Sequence, residues 1–195
     1  ITMKILLVFP ILLVHVTFAQ PLKEFNEERL KTDERLMLTL GSWSVANFIG
    51  GGIGWAVTEK GEAQYFHQMN VMWNTVNLAL AVPGYFRAKN TNLGLNEGQT
   101  FAEQRKTQKI FLVNSALDLG YMASGFVLKE QNSMDPFRQA QFEGYGKSLL
   151  LQGGFLLFFD LGAYFIHQKH GQKLHTNQVS KLQPSSVGIG LCWHL

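Results

Sequence analysis

The sequence predicts an all-α fold, an antiparallel four-helix transmembrane bundle that follows an N-terminal signal peptide. Charged residues make up only 16% of the chain, below the ~25% usual for soluble proteins. Several long segments are almost free of charge and, at ~1.5 Å per residue, are about as long as the hydrocarbon core of a bilayer is thick. A soluble bundle would need a charged outer face on every helix, and these segments lack one.

Residues 1–19 have the pattern of a secretory signal peptide. A short basic start is followed by an apolar run over residues 5–14, and the small residues Thr17 and Ala19 precede the expected cleavage site. The alternative is an uncleaved N-terminal anchor, although the apolar run is short for a span. Residues 20–35 are then a charged lead-in, predicted to be a solvated helix or an amphipathic helix at the membrane interface.

The first two spans are defined by their complete lack of charge. Residues 36–58 contain a GxxxG spacing, Gly50 and Gly54, which lets two helix backbones approach closely. Residues 66–86 are also uncharged, and ~100° per residue brings their polar side chains onto one stripe: His67, Asn70, Asn74 and Asn77. We therefore expect this stripe to face neighbouring helices.

The third and fourth spans, residues 110–128 and 148–166, carry one Asp each. The polar sequence before the third span, residues 87–109, is predicted to be a loop whose second half begins a helix. Thr100 would cap that helix, with Glu103 at the capping-box position.

A second connection and a tail complete the predicted organisation. Residues 129–147 form the connection, in which Pro136 marks a helix start. The membrane bundle therefore extends over residues 36–170. The polar tail that follows, residues 171–195, ends in an alternating pattern that favours a short strand at 186–195.

Asp118 and Asp160 are the strongest candidates for a functional site. A carboxylate near the middle of a bilayer costs about 3 kcal/mol on insertion scales, so such residues usually face the bundle interior and have a use. Antiparallel spans would hold both at a similar depth, and two carboxylates that close are not expected to be ionised together. The same estimate of depth gathers further polar side chains into this layer or next to it: Asn47, Asn74, Asn77, Asn114 and Tyr164.

This Asp/Asn layer supports two hypotheses. In the first, the chain is an integral membrane protein whose layer binds or relays a proton, a cation or a small polar ligand. In the second, it is a structural or accessory membrane subunit, and the layer is interhelical glue worth about 0.6–2 kcal/mol per contact. Its partners would be the lipid bilayer and, through the face of Gly50 and Gly54, another membrane protein or a second copy of the chain.

The sequence offers little support for an enzyme, a cofactor or a nucleic-acid partner. It lacks a Ser/His/Asp grouping and a phosphate-binding Gly loop, and its single cysteine, Cys192, cannot form an intrachain disulfide. His67 and His167 fall at opposite ends of the bundle. A metal on His167 and His170 at the surface is a weak alternative, so no metal is predicted. The net charge of +3 is small, and the basic residues are dispersed.

Two signals disagree about the orientation in the membrane. A cleaved signal peptide predicts a bacterial inner-membrane protein with both ends of the mature chain outside. That side would also hold the basic residues of the lead-in, of residues 87–109 and of the tail, whereas the positive-inside rule places such residues in the cytoplasm. We follow the signal peptide, because it dictates translocation of the segment behind it.

Three segments, WNTVNLALAVPGY, NSALDLGYMASGF and LLLQGGFLLFFDLGAYF, resemble an uncharacterised bacterial family of small four-helix membrane proteins with a signal sequence. The resemblance covers about residues 36–170. It implies the four-helix membrane fold, and it implies no substrate and no catalytic residues.

Overall fold

Four α-helices make up the part of the chain that the structure describes. The computed structural model covers the backbone of residues 8–179 and the side chains of residues 21–174. The helices are α1 (Val8–Val57), α2 (Glu62–Asn90), α3 (Glu97–Lys129) and α4 (Pro136–Val179). The predicted all-α class with four helices is confirmed, and residues 8–179 contain no strand. The predicted strand at 186–195 lies outside the described residues.

The helices are longer, and the connections shorter, than the sequence patterns indicate. The predicted loop over 87–109 is reduced to residues 91–96, and the predicted connection over 129–147 to residues 130–135. The polar residues at these positions extend the helices beyond their apolar segments instead of ending them. The helix start at Pro136 is confirmed.

α3 begins one turn earlier than predicted because a different residue caps it. The side chain of Asn96 accepts a hydrogen bond from Gln99 N at 2.9 Å, and Gln99 Oε1 accepts one from Asn96 N at 3.0 Å. This is a capping box, in which two backbone donors at the helix start are satisfied reciprocally. The predicted cap at Thr100 is therefore wrong. Thr100 is buried inside the helix and accepts a hydrogen bond from Asn26 Nδ2 at 2.9 Å.

We expect Asn96→Ala to lower the free energy of unfolding by about 1 kcal/mol, because the Gln99 backbone donor loses its acceptor. Asn132→Ala is the matched control, since Asn132 is an exposed residue of the other long connection. Thermal unfolding of both variants in the same detergent measures the difference. Equal transitions for the two variants would show that the capping box contributes nothing.

The charged lead-in, residues 20–35, is neither a separate element nor a solvated helix. It is the middle part of α1, which continues without a break through Pro21 and through the predicted cleavage position. Four of its side chains are buried: Phe25, Asn26, Arg29 and Leu30. The lead-in is helical as predicted, but it packs against the ends of α3 and α4.

Helices α1 and α2 pack against each other, α3 packs against α4, and α2 joins the two pairs through α4. At Gly125 and Gly146 the backbones of α3 and α4 approach so closely that an added Cβ on Gly125 would lie 2.8 Å from the carbonyl oxygen of Gly146. By contrast, no Cα atom of α2 lies within 8 Å of a Cα atom of α3. The side between α2 and α3 is therefore open.

Three of the four helices are long and apolar enough to cross a membrane: α1 from Pro21, α3, and α4 as far as Leu174. Many large apolar side chains on them face outwards, and Phe158 is 81% exposed. α2 is not among the three, although it contains the uncharged segment 66–86. Its buried Asn70, Asn74 and Asn77 lower its hydropathy. These features indicate membrane association.

Candidate functional site

A cleft of about 530 Å³ lies between the helices and opens on the side where α2 and α3 stay apart. Its walls are mostly apolar, with Leu40, Leu80, Ile110 and Phe159 among the lining residues. Small-molecule sites usually have volumes of roughly 300–1,000 Å³, mostly apolar walls and a few polar groups that fix orientation. The cleft has the size and the lining of such a site.

The inner end of the cleft holds the two predicted aspartates. Asp118 and Asp160 both line the cleft and are only 2% and 5% exposed. Their side chains lie close enough to interact with each other, and Asn114, which also lines the cleft, interacts with Asp160. Two carboxyl groups this close are not expected to be ionised together. The structure thus brings together three residues of the predicted layer as a carboxyl pair with an amide.

Two buried polar atoms at this end have no hydrogen-bond partner within the described part of the chain. They are the indole Nε1 of Trp73, a donor, and Oδ2 of Asp118. Both residues line the cleft. A buried polar atom without a partner costs about 1–3 kcal/mol, and native proteins usually satisfy such atoms with water or a ligand. The inner end can therefore accept a ligand that forms hydrogen bonds.

Of the asparagines of α2, Asn77 lines the cleft, whereas Asn70 and Asn74 are buried on the same helix but do not line it. Asn77 donates a hydrogen bond from Nδ2 to Asn74 Oδ1 at 3.4 Å. Asn74 is fully buried and donates to Asn70 O at 2.8 Å. His67, at the start of the same stripe, packs its ring against Gly54 of α1.

Asn47 belongs to a second polar group, away from the cleft. Its Oδ1 accepts a hydrogen bond from Gln152 Nε2 at 3.3 Å, and Gln152 Nε2 also donates to Asn70 Oδ1 at 2.8 Å. Trp43 Nε1 donates to Gln152 Oε1 at 3.0 Å, and Ser148 donates to Asn70 at 2.8 Å. This network joins α1, α2 and α4, and neither Gln152 nor Ser148 was a predicted site residue.

The remaining predicted residues are not joined to the cleft. Tyr164 is half-buried and its ring contacts Phe165 on its own helix. Within the GxxxG spacing, Gly54 faces His67 of α2, whereas a Cβ on Gly50 would have no atom within 4 Å. Gly51, not Gly50, is the second glycine of α1 that contacts α2 closely.

The outer end of the cleft holds a group of charged residues that sequence reasoning missed. Arg29 of α1 is only 3% exposed, and its Nη1 lies 3.6 Å from Asp33 Oδ2. Its Nε and Nη2 have no hydrogen-bond partner among the described residues. Asp33 Oδ1 also lies 3.0 Å from Nε2 of the fully buried His167. The helical spacing of Asn26, Arg29 and Asp33 is the one signal in the sequence that could have indicated a polar face here.

His167 and His170 are not surface residues, contrary to the metal alternative. His170 Nε2 lies 3.2 Å from Glu28 Oε2, and its ring stacks on Phe25 with centroids 4.0 Å apart. Gln104 of α3 donates to the backbone oxygen of His167 at 2.6 Å. These contacts tie α1, α3 and α4 together. Among the residues that the structure describes, no group of three His, Cys, Asp or Glu side chains could hold a metal ion.

Two contacts between α2 and α3 frame the open side of the cleft. At the outer end, Arg87 Nη2 lies 3.7 Å from Glu103 Oε2. At the inner end, the rings of Trp73 and Tyr121 meet edge to face with centroids 4.7 Å apart. Trp73 and Arg87 are about 21 Å apart along the helix at ~1.5 Å per residue. An elongated molecule could therefore enter from the side.

The fold and the cleft define a class of protein: small four-helix chains with helices long and apolar enough to cross a membrane, and with buried acidic and amide groups between them. Within that class, the chain belongs to the family of unknown function DUF6992, whose profile matches residues 39–161. The prediction of an uncharacterised family is confirmed, and a bacterial origin stays a prediction. Comparison with curated proteins and with solved structures gives no match.

Proposed function

We propose that the chain is an integral membrane protein of four antiparallel spans whose interior cleft binds a small cationic or hydrogen-bonding ligand at Asp118 and Asp160. Three helices have the length and composition of spans. α2 would be the fourth, because its asparagines face inwards while its other faces carry exposed apolar side chains, including Met72, Val82 and Phe86. Lipid would cover these outer faces.

The observation that carries this proposal is the carboxyl pair at the closed end of a cleft that is otherwise mostly apolar. Burying such groups without use is costly, and intramembrane carboxyl groups usually mark ligand, ion or proton sites. The unpaired Oδ2 of Asp118 can accept a hydrogen bond from an ammonium group, and two carboxyl groups this close can share one proton. Proton, metal cation and organic amine are therefore the candidate ligands.

The test uses sodium ions and hexylammonium as probes of the purified protein in neutral detergent. We expect a saturable change in tryptophan fluorescence with hexylammonium, because Trp73 lines the cleft. Asp118→Asn combined with Asp160→Asn should weaken binding at least tenfold, which corresponds to about 1.4 kcal/mol. Asn keeps the shape and the hydrogen-bonding capacity of the side chain, so folding should be preserved.

Glu34→Gln is the matched control, since it removes a carboxylate from α1 that does not line the cleft. Its affinity for hexylammonium should equal that of the unmodified chain. If the double Asn variant binds both probes as well as the control does, the carboxyl pair is not a ligand site.

The second candidate function is a structural or accessory membrane subunit. It is favoured by the network of Trp43, Asn47, Asn70 and Gln152, whose hydrogen bonds are all used to join helices. In that case the carboxyl pair would be interhelical glue like this network. Unchanged binding behaviour but lower stability of the double Asn variant would favour this alternative.

A further inference from the structure

The outer end of the cleft has the features of an anion site. Arg29 is nearly completely buried, lines the cleft, and leaves Nε and Nη2 without a hydrogen-bond partner among the described residues. A buried guanidinium is normally paired on both of its edges, because an unpaired buried charge is costly. The free edge of Arg29 therefore has the geometry for a carboxylate or phosphate group, which guanidinium binds through two hydrogen bonds.

The neighbouring charges add to the positive character of this end. Arg87 and Lys106 line the cleft together with Arg29, and both share one carboxylate, that of Glu103, each at 3.7 Å. The second acidic residue at this end is Asp33. One of its carboxylate oxygens contacts Arg29 and the other contacts His167. Three cationic side chains thus face two carboxylates, and an added anion would be attracted.

The position of these cations relative to the proposed spans indicates which kind of molecule the anionic group belongs to. Arg87 directly follows the span 66–86, and Lys106 precedes the span 110–128 by about one turn. Both would lie at the level of the lipid head groups, where Lys and Arg attract anionic lipids. Between this level and the aspartates, the cleft wall is apolar and open to the side between α2 and α3.

We propose that the outer end of this cleft binds an anionic amphipath, whose carboxylate or phosphate head group binds to Arg29, Arg87 and Lys106 and whose chain lies along the apolar wall. This goes beyond the proposed function, which places a cationic or hydrogen-bonding ligand at the other end of the same cleft. The head group satisfies the free edge of Arg29.

Native mass spectrometry from neutral detergent tests this with three probes: dodecyl phosphate, inorganic phosphate and dodecyltrimethylammonium. We expect one dodecyl phosphate per chain. Arg29→Gln should weaken its binding about tenfold, and Arg87→Gln several-fold. Arg35→Gln is the matched control, because Arg35 is an exposed arginine of α1 that does not line the cleft, and it should bind as the unmodified chain does.

Three results would overturn the proposal: equal dodecyl phosphate binding in all three Arg variants, binding of dodecyltrimethylammonium that Arg29→Gln weakens in the same way, or equally tight Arg29-dependent binding of inorganic phosphate. The last result would mean that the anion comes from water and not from lipid. If Arg29→Gln does not fold, the binding of dodecyl phosphate to Arg87→Gln is the test. Arg87 is 64% exposed, so its replacement leaves the packing of the interior unchanged. If these probes fail while hexylammonium still depends on Asp118 and Asp160, this inference falls and the proposed function stands.

Discussion

Replacing Gly144 by leucine is expected to abolish the folded protein, whereas the same change at Gly154 should be tolerated. A Cβ on Gly144 would collide with the carbonyl oxygen of Glu62, and would lie 2.7 Å from Phe66 N and 2.8 Å from Tyr65 Cβ. The first two contacts are with backbone atoms, which cannot rotate away. α2 and α4 would have to separate, and α2 is the main connection between the two helix pairs.

The expected loss in free energy of unfolding is at or above the upper end of the ~1–3 kcal/mol that overpacking usually costs. A Cβ on Gly154, in the same helix, would have no atom within 4 Å, so it controls for the loss of glycine. Size-exclusion chromatography and thermal unfolding in one detergent compare the two variants. The close approach of α2 and α4 would be refuted if both variants eluted as single peaks with equal unfolding temperatures.

Replacing Gln152 by leucine is expected to cause the second largest loss, about 2 kcal/mol of unfolding free energy. The side chain of Gln152 is fully buried and takes part in hydrogen bonds with Trp43, Asn47 and Asn70. Leucine has a similar volume, so packing is preserved. The indole N–H of Trp43 would lose its acceptor, and the Trp43 ring, stacked on Phe155 at 3.9 Å, would no longer be fixed in its plane.

Gln168→Leu is the control for this change, because Gln168 is an exposed glutamine of the same helix. Thermal unfolding monitored by circular dichroism and by tryptophan fluorescence should show a lower midpoint only for the Gln152 variant. A midpoint as high as that of the control would mean that the network stabilises nothing.

The sequence was sufficient to predict the helices and which side of α2 faces inwards. Asn70, Asn74 and Asn77 share a face at the helical period, and all three are buried. The similar height of Asp118 and Asp160 was predicted from the sequence, because one lies near the start of the span 110–128, the other near the end of the span 148–166, and antiparallel spans bring these two ends to the same side. These predictions worked because they depend on local periodicity and on height along the helix.

Rotation of each helix about its axis could not be derived in the same way. Asn47 is an error of height as well, because its amide meets Gln152, which lies eight residues or ~12 Å from Asp160 along α4, and not the carboxyl pair. The close helix contacts depend on the same rotation. A GxxxG spacing identifies Gly50 and Gly54, yet the tightest approaches to neighbouring backbones occur at glycines without that spacing, including Gly144.

The charged outer end was missed because its contacts join residues that are far apart in the sequence. Asp33 meets His167 and Glu28 meets His170. Each of these residues, taken alone, fits a solvated segment. These polar segments of α1 and α4 become a buried group only because the two helices pack beside each other. Neither hydropathy nor residue spacing predicts that packing.

The open side between α2 and α3 determines which concentration of a ligand sets the occupancy of the cleft. Within the described residues, no Cα atom of α2 lies within 8 Å of a Cα atom of α3, so the two backbones leave this side open. In the proposed membrane setting, a molecule dissolved among the acyl chains reaches the cleft by two-dimensional diffusion, without passing through water. Occupancy would then follow its mole fraction among the lipids, so a modest intrinsic affinity would suffice to fill the protein.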